Sequence, residues 1–449
     1  ASNLQAAPRI EQVVCNPANY GAIIRVWDVP LVPAGVGFSA NLFFGATYNT
    51  VSGTTTCVIP VANAGISGFY SMNEMVSIAA LEPGTTEVYI DYTNTTGIYT
   101  GNTSNDRRFL FLSNGLKPDG VTPQNKIGSG TALNVHNAIV YLRGNGESRG
   151  DIKFVGADNE IHINDGASYS AYHVDVNGNI DGTAATNGIK IYMQYATLNG
   201  NFTGSDYNDT GYYGDGSIVY GNIYAGDGND TLIVQGGIIN GNINAQDGND
   251  TLAVQGGTIN GNLDAGKGND IFTITAGTIN GGNLYGGDDN DTFMVTGGVI
   301  SGSIFAGSGD DSLVATGGTM NGSIYMGNGS DTVTINGLSL ATIPVLDGGD
   351  DVSIADGYID RLQISNAGTI SFGSSSLTNW EKITLDATTL TLTDNALTVG
   401  SDTGYGVFLT HGSELNAAGT LNMTGNVDID TTSTLSYGQG GNIVGNVRN

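Results

Sequence analysis

Apolar and polar residues alternate at a period of two between residues 221 and 341, and this alternation recurs as a longer repeat. Residues 221–240 read GNIYAGDGNDTLIVQGGIIN. Related copies begin at Gly241, Gly261, Gly282, Gly302 and Gly322. Alternation at a period of two is typical of β-strands with one buried face. A fixed period near 20 residues is typical of a solenoid, whose repeats bury their apolar faces against one another.

Each repeat contributes three groups of apolar residues that we expect to point inward, separated by corners rich in Gly and Asn. The first group is Leu232/Val234, Leu252/Val254, Phe272/Ile274, Phe293/Val295, Leu313/Ala315 and Val333/Ile335. The second group is Ile223, Ile243, Leu263, Leu284, Ile304 and Ile324. The third group is Ile239, Ile259, Ile279, Ile300 and Met320. Three inward groups per repeat predict an all-β fold, a three-faced parallel β-helix that is right-handed by the usual handedness of parallel crossings.

The repeat also divides the chain. We predict a regular β-helix over residues 116–360 and irregular β-helix coils over residues 361–449, where the alternation persists with irregular corners. Residues 1–115 show no repeat but contain strand-like runs at 21–29 and 87–92. Because an uncovered first coil would be an open sheet edge, this segment is predicted to be a β-rich cap.

The charge of the chain excludes several classes of partner. It contains 14 Lys and Arg against 42 Asp and Glu, a formal net charge of −28. Nucleic acids and anionic membrane surfaces require a basic footprint, so neither is an expected partner. The 39 % hydrophobic content excludes wholesale disorder, and no apolar run is long enough to span a bilayer.

The two cysteines, Cys15 and Cys57, both lie in the segment without repeats. Their spacing predicts one structural disulfide that closes a loop of about 40 residues, which implies an oxidising compartment. The chain begins Ala1-Ser2-Asn3, as a secreted protein does after loss of a signal peptide. We therefore expect export through the periplasm to the cell surface or the exterior.

One corner of the repeat carries a column of aspartates, which forms the first candidate site: Asp209, Asp230, Asp250, Asp270, Asp291, Asp311, Asp331 and Asp351. Polar neighbours accompany it, among them Asn229, Asn249, Asn269, Asn290, Asp227, Asp247 and Asp288. Stacked carboxylates repel, so the column must be solvated, hydrogen-bonded by corner amides or neutralised by a ligand. It could contact sugar hydroxyls or a basic protein surface. Alternatively, Asp and Asn suit left-handed corners and cap them with their own side chains.

Calcium is a further alternative for the same column, although no cofactor is predicted. The stretch AGDGNDTL at 225–232 approaches the glycine- and aspartate-rich nonapeptide that binds Ca²⁺. That motif normally recurs every nine residues, and the second half of each coil here lacks the aspartate. The sequence therefore favours a column without metal.

An aromatic column lies one residue beyond the second inward group, with Tyr224, Tyr285, Phe305 and Tyr325 in the row. Alternation turns these rings outward, where they could contact a glycan or a protein. Stacking between neighbouring coils would explain the same pattern without a ligand.

Two further motifs suggest functions that the sequence favours less. Arg149-Gly150-Asp151 is a tripeptide through which integrins are contacted, but the repeat places Gly150 at an ordinary corner. The pair Asp310-Asp311, with His411 further along the chain, could serve a β-helix polysaccharide hydrolase. A catalytic centre normally interrupts a regular pattern, and this column stays regular.

The DGNDT-x-x-V-x-GG-x-I-x-G coil, followed by irregular coils with the motif NWEKITL at 379–385, resembles passenger domains of Gram-negative autotransporter adhesins. The resemblance is strong over about 140 residues. It implies a β-helix on the bacterial surface that binds matrix glycoproteins such as fibronectin, or glycans such as glycosaminoglycans. The predicted function is thus a non-enzymatic adhesin that binds through its Asp/Asn and aromatic ladders; a calcium-binding structural protein and a polysaccharide-degrading enzyme are the alternatives.

Overall fold

The computed structural model describes residues 151–156, 159–163, 173–340, 343–355 and 357–449, and the backbone of ten strands before residue 149. These parts are all-β: they contain no helix, and parallel strands stack as a β-solenoid of about 13 turns. The predicted all-β, β-helical fold class is confirmed. The chain divides into two compact units, the first with residues 1–230 and 237–240 and the second with residues 231–236 and 241–449.

The backbone of unit 1 changes from antiparallel to parallel pairing along the chain. Its early strands are Arg9–Glu11, Val13–Cys15, Arg25–Trp27, Thr47–Val51, Thr54–Val58, Glu87–Asp91, Asn125–Ile127, Ala132–His136, Ile139–Leu142 and Gly146–Ser148. The strands up to Val58 pair antiparallel. Glu87–Asp91 pairs parallel with Ala132–His136, so parallel pairing begins inside the segment predicted to be a cap.

The later part of unit 1 is built from coils of three short strands. Its strands are Ile152–Gly156, Glu160–Ile163, Val174–Val176, Ile180–Ala185, Lys190–Met193, Ala196–Leu198, Phe202–Thr203, Thr210–Tyr213, Ile218–Val219, Ile223–Tyr224 and Ile238–Ile239. Equivalent strands of successive coils pair in parallel, as Ile152, Ile180, Phe202 and Ile223 show by lying in one register.

Unit 2 begins with coils of one short and one long strand. The short strands are Ile243–Asp247, Leu263–Lys267, Leu284–Asp288, Ile304–Ser308, Ile324–Asn328, Leu346–Asp347 and Leu377–Thr378. The other sheet, which we call the long-strand sheet, contains Thr231–Val234, Thr251–Ile259, Ile271–Ile279, Thr292–Ile300, Ser312–Met320, Thr332–Asn336, Arg361–Phe372 and Lys382–Leu392. A glycine with positive φ bends each of the four nine-residue strands, so one strand supplies two of the three inward groups; these glycines are Gly257, Gly277, Gly298 and Gly318.

The final coils of unit 2 return to three separate strands. They are Ala396–Thr398, Gly406–Thr410, Glu414–Ala417, Asn422–Thr424, Val427–Ile429, Thr434–Tyr437, Asn442–Val444 and Val447–Arg448. Their pairing remains parallel, with Val407, Val427 and Val447 in one register.

The core is the stack of inward residues that the alternation predicts. All members of the three apolar groups are buried, with no more than 5 % of any residue exposed. Phe272 and Phe293 stack on one another inside unit 2 at 4.6 Å between ring centroids. Burial of each large apolar side chain contributes about 1.5–3 kcal/mol relative to exposure, so the stack is the main source of stability.

Candidate functional site

The predicted acidic column lies inside the coils. Seven of its eight members expose no more than 2 % of their surface: Asp209, Asp230, Asp250, Asp270, Asp291, Asp311 and Asp331. The eighth, Asp351, is exposed, and its predicted place is wrong. Asp360 occupies that position instead, since the backbone N–H of Asp331 donates to it across 29 residues, and buried Glu381 follows. This coil contains an insertion, which a strict period of 20 does not take into account, and the insertion moves the column position from Asp351 to Asp360.

Each buried carboxyl in unit 2 holds the backbone of the preceding coil. The N–H of one acidic residue donates to a carboxyl oxygen of the next at 2.6–2.9 Å, in the order Asp250, Asp270, Asp291, Asp311, Asp331 and Asp360. The N–H of Asp360 donates to Glu381. These contacts match the alternative in which aspartate caps a corner.

In unit 1 the same role falls to Asp209. Its carboxyl accepts the N–H of Ile189 at 2.6 Å and the N–H of Ser205 at 2.6 Å. Its own N–H donates to Asp230 at 2.6 Å. The Ser205 hydroxyl also donates to this carboxyl at 2.8 Å, so both of its oxygens are bonded within the protein.

The second carboxyl oxygen of the unit 2 column accepts no hydrogen bond at Asp270, Asp291, Asp311, Asp331 and Asp360, although it is buried. At Asp291 this oxygen shares the space above Gly286 with the carbonyl oxygen of Ala306: a Cβ at Gly286 would lie 2.2 and 2.3 Å from them. Both of these oxygens are acceptors while the carboxyl is ionised, whereas a neutral carboxyl carries one O–H donor.

Burial raises the pKa of these carboxyls towards neutrality, because the charged form loses its water. The pKa rises to about 6 for Asp209 and Asp311, to about 7 for Asp270, Asp331 and Glu381, and to about 8 for Asp291 and Asp360. The backbone N–H bonds pull in the opposite direction, and neighbouring carboxylates raise the pKa further. The column is therefore a row of buried corner groups that bond the backbone and whose pKa values lie near neutrality.

The polar residues beside the column form a second ladder, which is exposed. In unit 2 the N–H of each residue donates to the side chain one coil earlier at 2.7–3.1 Å, through Asn249, Asn269, Asn290, Asp310 and Ser330. In unit 1 the N–H of Asn229 donates to Asn208. The predicted neighbours of the column thus remain on the surface.

The outlying acids Asp227, Asp247 and Asp288 are exposed. Lys267 forms an ion pair with Asp247 at 2.9 Å, and the Ser308 hydroxyl donates to Asp288 at 3.1 Å. Exposed pairs of this kind add little stability, so these acids are available to a partner in solution.

The aromatic row is half-exposed and stacked. Tyr285, Phe305 and Tyr325 follow one another at 5.2 and 5.1 Å between centroids, with interplanar angles of 9° and 10°. The carboxamide of Asn283 donates to the Tyr285 hydroxyl, and that of Asn222 to the Tyr224 hydroxyl in unit 1. Since the ring faces cover one another, the row presents ring edges to a ligand, and stacking accounts for its regular spacing.

A second aromatic row, which sequence reasoning missed, lies in unit 1. His162 stacks on Tyr192 at 4.6 Å, and Tyr192 lies 6.4 Å from Tyr212. The three residues occupy the same register position in three successive coils. The repeat is weak here, but aligning YMQY at 192–195 with YYGD at 212–215 would have placed the two tyrosines in one column.

The exposed charges of unit 2 are confined to one side of its regular coils. Between residues 241 and 340 every exposed or half-exposed charge lies on a short strand or in the turn after it: Asp247, Asp264, Lys267, Asp288, Asp289 and Asp310. The long-strand sheet carries none from Thr251 to Asn336. Its first cations are Arg361 and Lys382, neighbours in the register, with the Lys382 ammonium 4.5 Å above the Phe408 ring.

Of the two less favoured motifs, the structure describes Asp151 of the integrin-type tripeptide and both acids of the hydrolase pair. Arg149 and Gly150 lie outside the described residues, whereas the Asp151 carboxyl accepts the N–H of Asn179 at 2.9 Å and so caps a corner. Asp310 is exposed and Asp311 is buried, so the two carboxyls face opposite sides and cannot flank one bond. His411 pairs with Asp386 at 2.6 Å on the surface.

The predicted disulfide falls outside the described side chains. The backbone places Val13–Cys15 and Thr54–Val58 on adjacent antiparallel strands, with Cys57 opposite Val13. Among the side chains that are described, no group of three or more His, Cys, Asp or Glu could hold a metal ion. The described part of the chain also contains no helix with the length and apolarity to cross a membrane.

Comparison with known proteins returns no relative. No family model, no curated protein sequence and no solved structure matches the chain.

Proposed function

We propose that this chain is the passenger of an autotransporter-type adhesin, a non-enzymatic β-solenoid displayed on a bacterial surface. One observation supports this proposal above others: the regular coils present the same kinds of side chain in the same rows, coil after coil. Contacts with a ligand are then repeated along a face instead of being gathered in one pocket. Many weak contacts of this kind add up by multivalency.

The side of unit 2 that carries the short strands is the proposed adhesive surface. It combines Asp247, Asp288 and Asp310 with the exposed amide ladder and the edges of the aromatic row. Acids favour a basic partner, so a basic face on a matrix glycoprotein such as fibronectin suits this surface. Carboxamides and carboxylates also accept hydrogen bonds from the hydroxyls of neutral glycans. A sulfated glycosaminoglycan would be repelled here, which makes it the less suitable ligand.

A binding array of matrix proteins and glycans tests this proposal on the purified chain. The exposed acids Asp247, Asp288 and Asp310 are replaced by Asn one, two and three at a time. We expect affinity for the best ligand to fall progressively, by about two- to five-fold for each carboxyl removed, because each rim charge contributes modestly.

Asp402→Asn, which removes an exposed acid elsewhere in unit 2, is the matched control and should leave binding unchanged. Complete loss of binding on a single replacement would contradict a distributed surface. Shortening of a glycan on the array would show an enzyme instead.

A further inference from the structure

The long-strand sheet of unit 2 is free of charge over five consecutive strands: Thr251–Ile259, Ile271–Ile279, Thr292–Ile300, Ser312–Met320 and Thr332–Asn336. The residues that point outward before the glycine bend are Thr, Ser, Ala, Val, Ile and Met. The exposed acids of the same coils all lie on the other side, on the short strands and their turns. In a chain with a net charge of −28, this sheet is an unusually neutral surface.

An apolar patch interrupts the threonine rows on this sheet. Ile271 is 42 % exposed and Met294 is 43 % exposed. Ile271 lies beside Thr292 in the register, and Met294 lies between Thr273 and Val314. The interior of unit 2 does not need these apolar side chains, since their strands already bury Phe272, Ile274, Phe293 and Val295. Exposed apolar side chains grouped on an uncharged sheet are typical of a surface for association.

We propose that the long-strand sheet is a self-association surface, on which a second copy of this chain docks sheet to sheet. The distribution of charge favours a second copy of the chain over a strongly charged partner. Two copies repel each other wherever exposed acids meet, and salt screens that repulsion only beyond about 8–10 Å. Contact through the neutral sheet keeps Asp247 and Asp288 of both copies, which lie on the short strands, away from the contact. A strongly charged partner finds no complementary charge here.

The size of the sheet sets the strength of this association. Five strands at about 4.8 Å spacing, a few outward residues wide, offer on the order of 300 Å² per copy. The two copies together would bury about 600 Å², well below the 1,200–2,000 Å² of a stable complex. The dimer is therefore weak and reversible, and it forms at high local concentration. The contact is isologous: the same patch serves both copies.

Sedimentation equilibrium of the full chain, from low micromolar to about 1 mM, tests this proposal. The monomer has a mass of 46.2 kDa, and we expect the average mass to rise towards twice that value with concentration. Raising the salt concentration should strengthen the association, because it screens the acids while leaving the apolar contact intact. Met294→Asp should weaken the association constant at least ten-fold.

Asn328→Asp is the matched control, because it adds the same charge at an exposed position on a short strand. It should change the association constant less than two-fold. Circular dichroism checks that both variants keep the wild-type fold. A mass that stays at the monomer value at 1 mM and high salt would overturn the proposal, as would equal weakening by the two variants.

Discussion

The regular coils of unit 2, residues 251–336, and its C-terminal coils, residues 361–449, close the same corner with different groups. In the regular coils the corner after each short strand holds a buried carboxyl that accepts one backbone N–H. In the C-terminal coils the first such corner still holds a buried carboxyl, that of Glu381, whereas a later corner holds Asn426, which is fully buried. Its carboxamide donates to the carbonyls of Ser401 and Asp402 and accepts the N–H of Asn446. The corner thus requires a buried group that bonds the backbone, and a charge is not needed.

The two regions also differ in how closely the left-handed bend between two inward groups of the long-strand sheet packs against the previous coil. In the regular coils a Cβ at Gly277 or Gly318 would lie 2.6 Å from a backbone oxygen of the previous coil. In the C-terminal coils the left-handed corner admits Asn366, Ala387 and His411, with φ of 52°, 48° and 51°. Glycine is therefore obligatory only where the neighbouring backbone comes close.

The largest expected effect tests this difference by adding one methyl group to a glycine that lies close to the neighbouring backbone and to one that does not. Gly287 has φ of +123°, and its Cβ would lie 1.7 Å from the carbonyl oxygen of Gly266. Gly287→Ala should lower the free energy of unfolding by about 3 kcal/mol, because strain and overpacking add. Urea denaturation followed by circular dichroism measures the change.

Gly368→Ala is the control. Gly368 also has positive φ, at +68°, but a Cβ there meets nothing within 4 Å. We expect a loss of about 1 kcal/mol, the cost of the left-handed conformation alone. Equal losses at the two glycines would show that close packing between coils is not what demands glycine.

The next test uses pH to separate the ionisable corner from the amide corner. Burial raises the pKa of Asp291 to about 8, whereas an unfolded aspartate ionises near 3.8. Between these values the folded chain holds a proton that the unfolded chain has released, so the free energy of unfolding falls as pH rises from about 4 to about 8. Asp291→Asn keeps the acceptor for the Asp270 N–H and removes the titration.

At pH 9 Asp291→Asn should therefore be more stable than the parent chain by about 2 kcal/mol, and near pH 5 the two should be similar. Thermal unfolding at the two pH values measures this difference. Asp402→Asn removes an exposed carboxyl outside the column and should leave the pH dependence unchanged. If both variants shift the pH profile equally, the effect comes from net charge and not from the buried column.

The smallest expected effect comes from the reverse change, in which a non-glycine residue at a left-handed corner of the C-terminal coils is replaced by glycine. Ala387 occupies a left-handed corner with φ of 48° and pays the conformational cost that glycine avoids. Ala387→Gly should stabilise unit 2 by about 0.5–1 kcal/mol, since relief of strain exceeds the added freedom of the unfolded chain. Chemical denaturation checks the sign, and a destabilised variant would mean that the Ala387 methyl group packs usefully.

The inward residues were predictable because burial in a strand alternates strictly and the repeat copies it. Leu252, Phe272 and Phe293 occupy one column in the sequence and one column in the core. The acidic column was predictable as a column, but not as a buried one. Aspartate is rarely buried, and a one-dimensional pattern does not show that each carboxyl accepts a backbone N–H of the preceding coil.

The shift from Asp351 to Asp360 shows where a period stops being informative. A loop that leaves the coil and returns adds residues without adding a coil, so counting by 20 gave the wrong partner for Asp331. The absence of charge from the long-strand sheet can be read from the sequence, since none of its regular strands contains Asp, Glu, Lys or Arg. Only the structure shows that the exposed charges of those coils lie on the short strands and in the turns after them.

The sequence by itself determined the strands, the repeat and the identity of the core, because alternation and period are local patterns of residues along the chain. The tertiary structure alone decided which polar residues face water. Alternation assigns a side within a strand, but corners have no such rule, and there the position of the neighbouring backbone decides. Asp310 and Asp311 illustrate this limit: adjacent and chemically identical, one is exposed to solvent and the other holds the coil from within.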